Sequence, residues 1–105
     1  MYRILLVCSA GMSTSLMVAK MQAAATEQGI EASIAASAEA DIQEHLDNID
    51  ILLLGPQVRY LQAKMKGILS GRGVPIEVID SIDYGTMNGA KVLAAAIRNI
   101  EAAKG

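Results

Sequence analysis

The sequence predicts a small α/β protein with a doubly wound, four-stranded parallel sheet in the order 2-1-3-4 and helices on both faces. Strand-like apolar runs alternate with helix-like stretches along the chain in the order βαβαβαβα, and short strands joined by single helices imply parallel strands with right-handed crossovers. The 105 residues include 17 alanines and no Phe or Trp. We therefore expect one domain, residues 1–105, with alanine-rich helices packed closely on a thin aliphatic sheet.

Four segments carry the strand pattern. The first spans residues 2–8 and ends at Cys8. The second, residues 30–37, is weaker and rich in small side chains, and the fourth spans residues 76–79. The third, residues 50–55, is almost uniformly apolar, which is typical of a central strand in a parallel sheet.

Four further segments carry a helical pattern. Residues 13–28 repeat apolar side chains at helical spacing before Gly29, which suits the position just past a helix end. Residues 39–47 predict a short helix, Pro56 opens a third helix that ends at Gly71, and Asn88 is placed to cap the last one. The side chains expected on the buried faces are Met17, Val18, Met21, Ala24, Ala25, Ile42, Leu46, Val58, Leu61, Met65, Ile68, Leu93, Ala96, Ile97 and Ile100.

The composition argues against several classes of protein. A net charge of -2 provides no basic patch for nucleic-acid phosphates. No apolar run approaches the roughly 20 residues that span a bilayer, and the N-terminal segment is a strand pattern rather than a secretory signal. A single cysteine favours the reducing cytoplasm. Cys8 and the single histidine, His45, cannot build a structural zinc site by themselves, so we expect no metal.

The predicted strand order places chemistry at one edge of the sheet. In this order the direction in which strands are added to the sheet reverses between strands 1 and 3, and ligands bind outside the carboxyl ends there. Cys8 ends the first strand, Gln57 follows the third and Tyr84 follows the fourth. We expect these three residues at one rim, where Gln57 and Tyr84 contact a phosphate or a partner; the alternative is that Gln57 only begins a helix and Tyr84 only covers the sheet edge.

The loop after Cys8 is suited to hold an anion. Small residues let the backbone curl so that several N–H groups point inward, and the helix N-terminus that follows favours negative charge. These groups stabilise a thiolate and can equally hold a phosphoryl group on the sulfur. The alternative is that Cys8 is a small buried core residue and that the hydroxyls only cap the helix. The residues expected to bind the phosphate are Ser9, Ala10, Gly11, Met12, Ser13, Thr14 and Ser15.

The loop differs from that of a cysteine phosphatase at one position. Low-molecular-weight tyrosine phosphatases carry Cys-x5-Arg, and their arginine clamps the transferring phosphate. Here the sixth residue after Cys8 is Thr14, so stabilisation of a hydrolytic transition state is expected to be weak. The loop is better suited to hold a phosphate and pass it on.

These residues carry a family resemblance. The run Leu-Leu-Val-Cys-Ser-Ala-Gly-Met-Ser-Thr-Ser-Leu, from Leu5 to Leu16, resembles the phosphorylation loop of enzyme IIB of the bacterial phosphoenolpyruvate-dependent sugar phosphotransferase system. The similarity is greatest to the cellobiose/chitobiose (beta-glucoside) type of the lactose/cellobiose family. It continues in residues 53–58, 78–81 and 84–85, and so covers essentially the whole chain.

The resemblance implies a phosphoryl carrier. A phosphohistidine of the partner protein IIA would donate its phosphoryl group to Cys8, and the phosphocysteine would pass it to a sugar bound by the membrane permease IIC. The sugar would be a cellobiose- or chitobiose-like disaccharide. The resemblance implies no cofactor and a cytoplasmic protein that reaches the inner face of the membrane through IIC. We also expect a free-standing monomer.

For three other polar residues the sequence predicts a position rather than a chemical role. Asp80 and Asp83 would repel a phosphate if they faced Cys8, so we expect them to cap a turn or face solvent. His45 lies in a polar segment, and we expect it to be a solvated surface residue rather than a phosphoacceptor. Two alternatives to the carrier remain at this point, a cysteine phosphatase and a non-catalytic docking module of the same fold.

Overall fold

The predicted parallel sheet is present. The structure, a computed structural model, describes residues 1–8 and 11–104, with the side chains of residues 11–13 outside the description. Its strands are β1 (Tyr2–Val7), β2 (Ala32–Ser37), β3 (Ile51–Leu54) and β4 (Ile76–Val78). They pair in parallel in the order β2-β1-β3-β4, which confirms the predicted order, with the uniformly apolar β3 between two neighbours.

Helices of two kinds connect the strands. The α-helices are α1 (Gly11–Gln28), α2 (Gln62–Ile68), α3 (Ser81–Gly85) and α4 (Gly89–Lys104). Shorter 3-10 segments span Glu39–Glu44, Leu46–Asn48 and Pro56–Leu61. Gly29 has a φ of 71° and lies just past the end of α1, as predicted, because glycine adopts this left-handed conformation without a Cβ clash.

Each face of the sheet carries its own apolar core. Successive side chains of a strand point to opposite faces, so β1 and β3 divide their side chains between the two layers. One core contains Ile4, Leu6, Cys8, Ile51 and Leu53 together with residues of α1 and α4, including Met17, Met21, Leu93, Ala96 and Ile100. The other contains Leu5, Val7, Leu52 and Leu54 with Ile42, Leu46, Val58, Leu61 and Met65. Helical segments therefore cover both faces, as predicted.

Three connections differ from the prediction. Residues 39–47 form two 3-10 segments rather than one α-helix, although Ile42 and Leu46 are buried as expected. The helix from Pro56 to Gly71 begins as 3-10, kinks at Val58 (φ −118°, ψ 27°) and ends at Ile68. A short helix after β4, α3, was not predicted at all.

The carboxyl ends of three strands are aligned at one edge, the rim. The amide of Gly55 donates a hydrogen bond to the Val7 carbonyl (3.0 Å), and the amide of Ile79 donates to the Leu54 carbonyl (2.8 Å). These two bonds extend the parallel ladders by one residue beyond β3 and β4. The segments that follow β1, β3 and β4 therefore begin side by side.

Candidate active site

Cys8 lies at this rim, directly after β1. Cys8 is 7% exposed and belongs to the core between the sheet, α1 and α4. Helix α1 begins at Gly11, three residues later, so the thiol lies close in sequence to the N-terminus of an 18-residue helix. A helix N-terminus carries positive partial charge and favours an anion.

Gln57 and Tyr84 both contact the sulfur. The Tyr84 hydroxyl is 3.5 Å from Cys8 Sγ, and the Cys8 thiol donates to Gln57 Oε1 at 3.8 Å. The two residues come from the segments after β4 and β3, so the topology predicted their position correctly. Their role toward a phosphate stays a prediction.

Ionisation of the thiol fixes the direction of the contact with Tyr84. While the thiol is protonated, either the sulfur or the hydroxyl can donate. A thiolate has no hydrogen to give, so the Tyr84 hydroxyl is then the donor toward the sulfur. A donor aimed at sulfur stabilises the thiolate more than the thiol, because hydrogen bonds to an ionised acceptor are stronger.

Gly55 leaves room for this arrangement. A Cβ at this position would lie 2.9 Å from Gln57 Oε1 and 3.4 Å from Cys8 Sγ. The first distance requires the flexible Gln57 side chain to move away, and the second is a van der Waals contact with the sulfur. Gly55 thus permits the close approach of the segment after β3 to the thiol.

The predicted phosphate loop lies partly outside the described residues. Nothing is described for Ser9 and Ala10, and for Gly11, Met12 and Ser13 only the helical backbone is. Thr14 is 3% exposed and Ser15 is exposed. The phosphate-binding role of this loop stays a prediction.

Helix α3 presents Tyr84 to the thiol. Asp80 caps the helix, with its carboxylate accepting hydrogen bonds from the amides of Ile82 (3.0 Å) and Asp83 (3.1 Å). The expectation that Asp80 caps a turn is confirmed, and Asp83 is half-buried. Tyr84 is 6% exposed on the inner side of the helix. An Asp four residues before a buried aromatic was the signal that could have predicted this helix.

Arg59 is a rim residue that the sequence pattern did not single out. Its Nη2 donates to Ser81 Oγ (3.4 Å) and its Nε to the Pro56 carbonyl (3.2 Å). The guanidinium therefore bridges the segment after β3 and the start of α3. No motif marked it, because the contact joins residues 22 positions apart.

His45 lies away from the thiol. It separates the two 3-10 segments before β3 and is half-buried rather than fully solvated. It lines a depression of about 160 Å³ with Arg3, Ser33 and Asn48. Because Arg3 is near the start of β1, this depression lies toward the opposite end of that strand from Cys8.

The described residues contain neither a cluster that could hold a metal ion nor a helix that could span a membrane. Within residues 1–8 and 11–104, no group of three or more His, Cys, Asp or Glu side chains is arranged to hold a metal ion. Among the helices of the described chain, none has the length and apolar character that crossing a membrane requires.

The fold and the position of Cys8 define a class of protein. Cys8 follows the first strand of a parallel sheet in the order 2-1-3-4 and precedes a helix. A cysteine in this position can bind an anion at the switch point of an α/β protein. The sequence profile described as "PTS system, Lactose/Cellobiose specific IIB subunit" matches residues 3–95. The chain belongs to this family. It is a phosphoryl carrier in sugar uptake by the phosphotransferase system (PTS), and it acts as a phosphotransferase.

Relatives and a solved structure agree with this assignment. The chain is 49% identical over 98 residues to the PTS system galactose-specific EIIB component of Lactococcus lactis subsp. cremoris (strain MG1363), covering 89% of this chain and 91% of that one. It is 48% identical to the PTS system cellobiose-specific EIIB component of Lactococcus lactis subsp. lactis (strain IL1403), with the same coverage. The solution structure of the cellobiose-specific IIB component from Borrelia burgdorferi superposes with a TM-score of 0.79 at 46% identity, over 95% of this chain and 92% of that chain. EIIB components work with IIA and membrane IIC partners, and the family assignment favours the carrier over the phosphatase and the docking module.

Proposed function

We propose that Cys8 carries the phosphoryl group. The thiolate attacks the phosphorus of a phosphohistidine on IIA, so that an S–P bond forms as the N–P bond breaks and the electron pair returns to the imidazole. In the second step a sugar hydroxyl attacks the same phosphorus, the O–P bond forms, the S–P bond breaks and the hydroxyl proton is released. Cys8 is thus first nucleophile and then leaving group.

One observation carries this proposal. The Tyr84 hydroxyl is 3.5 Å from Cys8 Sγ, at the point where α1 begins, so a donor and a helix N-terminus both favour negative charge on the sulfur. The same groups serve both steps, because sulfur is an anion before the first and after the second. Gln57 is placed to turn its amide N–H toward the anion once the thiol proton has gone. The backbone and hydroxyls of residues 9–15 would hold the phosphoryl oxygens.

The partners and the sugar extend the proposal. We propose a cytoplasmic monomer, with residues 1–105 acting as one IIB domain, that receives the phosphoryl group from a IIA protein and meets a IIC permease at the inner face of the membrane. The proposed sugar is a cellobiose- or chitobiose-like disaccharide bound by IIC. Relatives named for galactose and for cellobiose are almost equally identical to this chain, so the sugar has to be identified through the permease rather than through IIB.

Phosphoryl transfer to the protein tests the site directly. The protein is incubated with radiolabelled phosphoenolpyruvate, the general phosphotransfer proteins and a panel of IIA partners, and the label is mapped by mass spectrometry. We expect one label on Cys8, none in Cys8→Ser, and an unchanged label in His45→Gln, the matched control. A label that persists in Cys8→Ser, or one found on His45, contradicts the proposal.

A second assay separates the carrier from a phosphatase. Thr14 stands where a phosphatase has its arginine, so turnover of p-nitrophenyl phosphate by the same preparation should be negligible beside the rate of transfer from IIA. Robust turnover that is lost in Cys8→Ser would favour the phosphatase.

A further inference from the structure

Two large apolar side chains are exposed next to the thiol site. Tyr60 is 71% exposed and Ile82 is 73% exposed. In the described part of the chain, the other exposed large hydrophobic residues are Met1 at the N-terminus and Leu16 on α1. Single exposed apolar residues need no explanation, but these two come from the segments that follow β3 and β4, which begin side by side at the rim.

A hydrogen bond joins the two segments. Arg59 precedes Tyr60 and Ser81 precedes Ile82, and the Arg59 guanidinium donates to Ser81 Oγ at 3.4 Å. We refer to the exposed residues Arg59, Tyr60, Ser81 and Ile82 as the docking patch. The hydrogen bond places residues 59–60 beside residues 81–82, and each of these pairs contains one exposed apolar side chain.

Other residues of the same two segments contact Cys8. Gln57 lies three residues before Tyr60, and Tyr84 lies two residues after Ile82; both side chains reach Sγ. A protein that delivers a group to this sulfur must therefore cover the segments that carry the patch. Tyrosine and arginine are also the residue types that contribute most to protein interfaces.

We propose that the docking patch binds the phosphorylated IIA protein while it donates to Cys8. This inference rests on the proposed function and adds the surface that the donor recognises. Tyr60 and Ile82 bury against an apolar area of the donor. Among the described residues, the Arg59 side chain donates to the uncharged oxygens of Pro56 and Ser81, so its charge is available to a carboxylate of the donor. The donor surface is accordingly apolar with an acidic residue beside it.

Kinetics with purified phosphorylated IIA test the proposal. The rate of Cys8 phosphorylation is measured against donor concentration for the wild type, Tyr60→Ser and Ile82→Ser. We expect the KM for the donor to rise about tenfold in each variant, as for a central interface residue, with kcat within about twofold, since neither side chain contacts the sulfur. Arg59→Gln should raise KM about threefold at low salt and have little effect at high salt, where exposed charges are screened.

Matched variants keep the result interpretable. Tyr60→Phe and Ile82→Leu retain the apolar area and should retain the wild-type KM. The rate of Cys8 alkylation by iodoacetamide should be unchanged in all the variants, which shows that the thiol site is intact. If the wild type itself is not labelled on Cys8, the proposed function fails; if it is labelled and the serine variants keep its KM, only the docking patch fails.

Two other occupants would also overturn the proposal. A second copy of the chain would give concentration-dependent dimers in sedimentation that Tyr60→Ser abolishes. If the patch binds the permease instead, the serine substitutions would leave the KM for the donor unchanged. They would slow only the transfer of the phosphoryl group to sugar in vesicles that contain IIC.

Discussion

At the residue scale, the contact between Tyr84 and Cys8 links the fold to the chemistry. Asp80 fixes the start of α3, α3 turns Tyr84 inward, and the hydroxyl reaches the sulfur. Tyr84 is buried, and a phenylalanine would fill nearly the same volume while removing only the hydroxyl. The hydrogen bond can therefore be tested without changing the packing.

Tyr84→Phe should make the thiol less reactive. Without the hydroxyl, the thiolate loses a charge-assisted hydrogen bond. The alkylation rate of Cys8 at neutral pH should therefore fall about three- to tenfold, and the pH profile of the rate should move to higher pH. A tenfold fall in rate corresponds to a loss of about 1.4 kcal/mol in the stability of the thiolate. Stopped-flow alkylation across pH 5–10 measures this. Tyr60→Phe, which removes an exposed hydroxyl, is the control and should leave the profile unchanged. A profile of Tyr84→Phe that overlays the wild type would show that the hydroxyl does not donate to the sulfur.

At the element scale, periodicity predicted the long elements better than the short ones. The pattern of residues 13–28 identified α1 because many buried positions repeat there. In residues 39–47 only Ile42 and Leu46 belong to the core. Tertiary contacts rather than helix propensity determine the backbone conformation of segments this short. The kink at Val58 interrupts the helix predicted after Pro56. The short helix α3 is different, because its local N-cap, Asp80, could have predicted it.

Helices α1 and α4 pack closely through a glycine. A Cβ on Gly89 would lie 2.5 Å from the backbone carbon of Lys20, and backbone atoms cannot move aside as a side-chain end can. Gly89→Ala should therefore push the helices apart and destabilise the protein by about 1–3 kcal/mol, as overpacking does. Urea denaturation followed by circular dichroism measures the loss.

Gly67→Ala is the matched control for this prediction. Gly67 lies within α2, and an added Cβ would meet no heavy atom within 4 Å, so alanine should stabilise the helix by about 0.5–1 kcal/mol. Opposite signs for the two glycine substitutions are the expected result. Equal effects would mean that helix propensity, not the contact with Lys20, decides the outcome at Gly89.

At the scale of the whole molecule, the sequence predicted where the site lies but not how its groups interact. Strand order follows from the alternation of elements, and that order places Cys8, Gln57 and Tyr84 at one rim. The donor assignment at the sulfur, the space left by Gly55 and the bridge from Arg59 to Ser81 depend on distances between segments. A pattern in one chain carries no information on such distances.

The carboxyl and amino ends of the strands form two edges of the sheet with different roles. The carboxyl edge carries the thiol, whereas the amino edge is held by Asp50, whose carboxylate accepts hydrogen bonds from Arg3 at the backbone N (2.8 Å), Nε (3.4 Å) and Nη2 (3.1 Å). Burial alone would raise the pKa of Asp50, but the hydrogen bonds and positive charge of Arg3, with Lys104, outweigh it and hold the pKa below its ordinary value of 3.8. The pKa of Asp50 is lower in the folded protein than in the unfolded chain. The Asp50 carboxylate therefore stabilises the fold at pH values above its ordinary pKa of 3.8. This contribution is lost as the pH falls through the folded pKa.

Asp50→Asn should therefore destabilise the protein in a pH-dependent way without reaching the thiol. At pH 7 the loss of a carboxylate that accepts three hydrogen bonds should cost about 1–3 kcal/mol of unfolding free energy, and the difference from wild type should narrow below about pH 4. Asp47→Asn is the control, because the Asp47 side chain is 83% exposed in its pair with Arg72 and such pairs contribute about 0–1 kcal/mol. Urea denaturation at pH 7 and pH 3.5 gives both comparisons, and Cys8 alkylation in the folded variant should match the wild type. A difference that stays constant with pH would show that the Asp50 charge does not stabilise this edge, and slowed alkylation would show that the two edges are coupled.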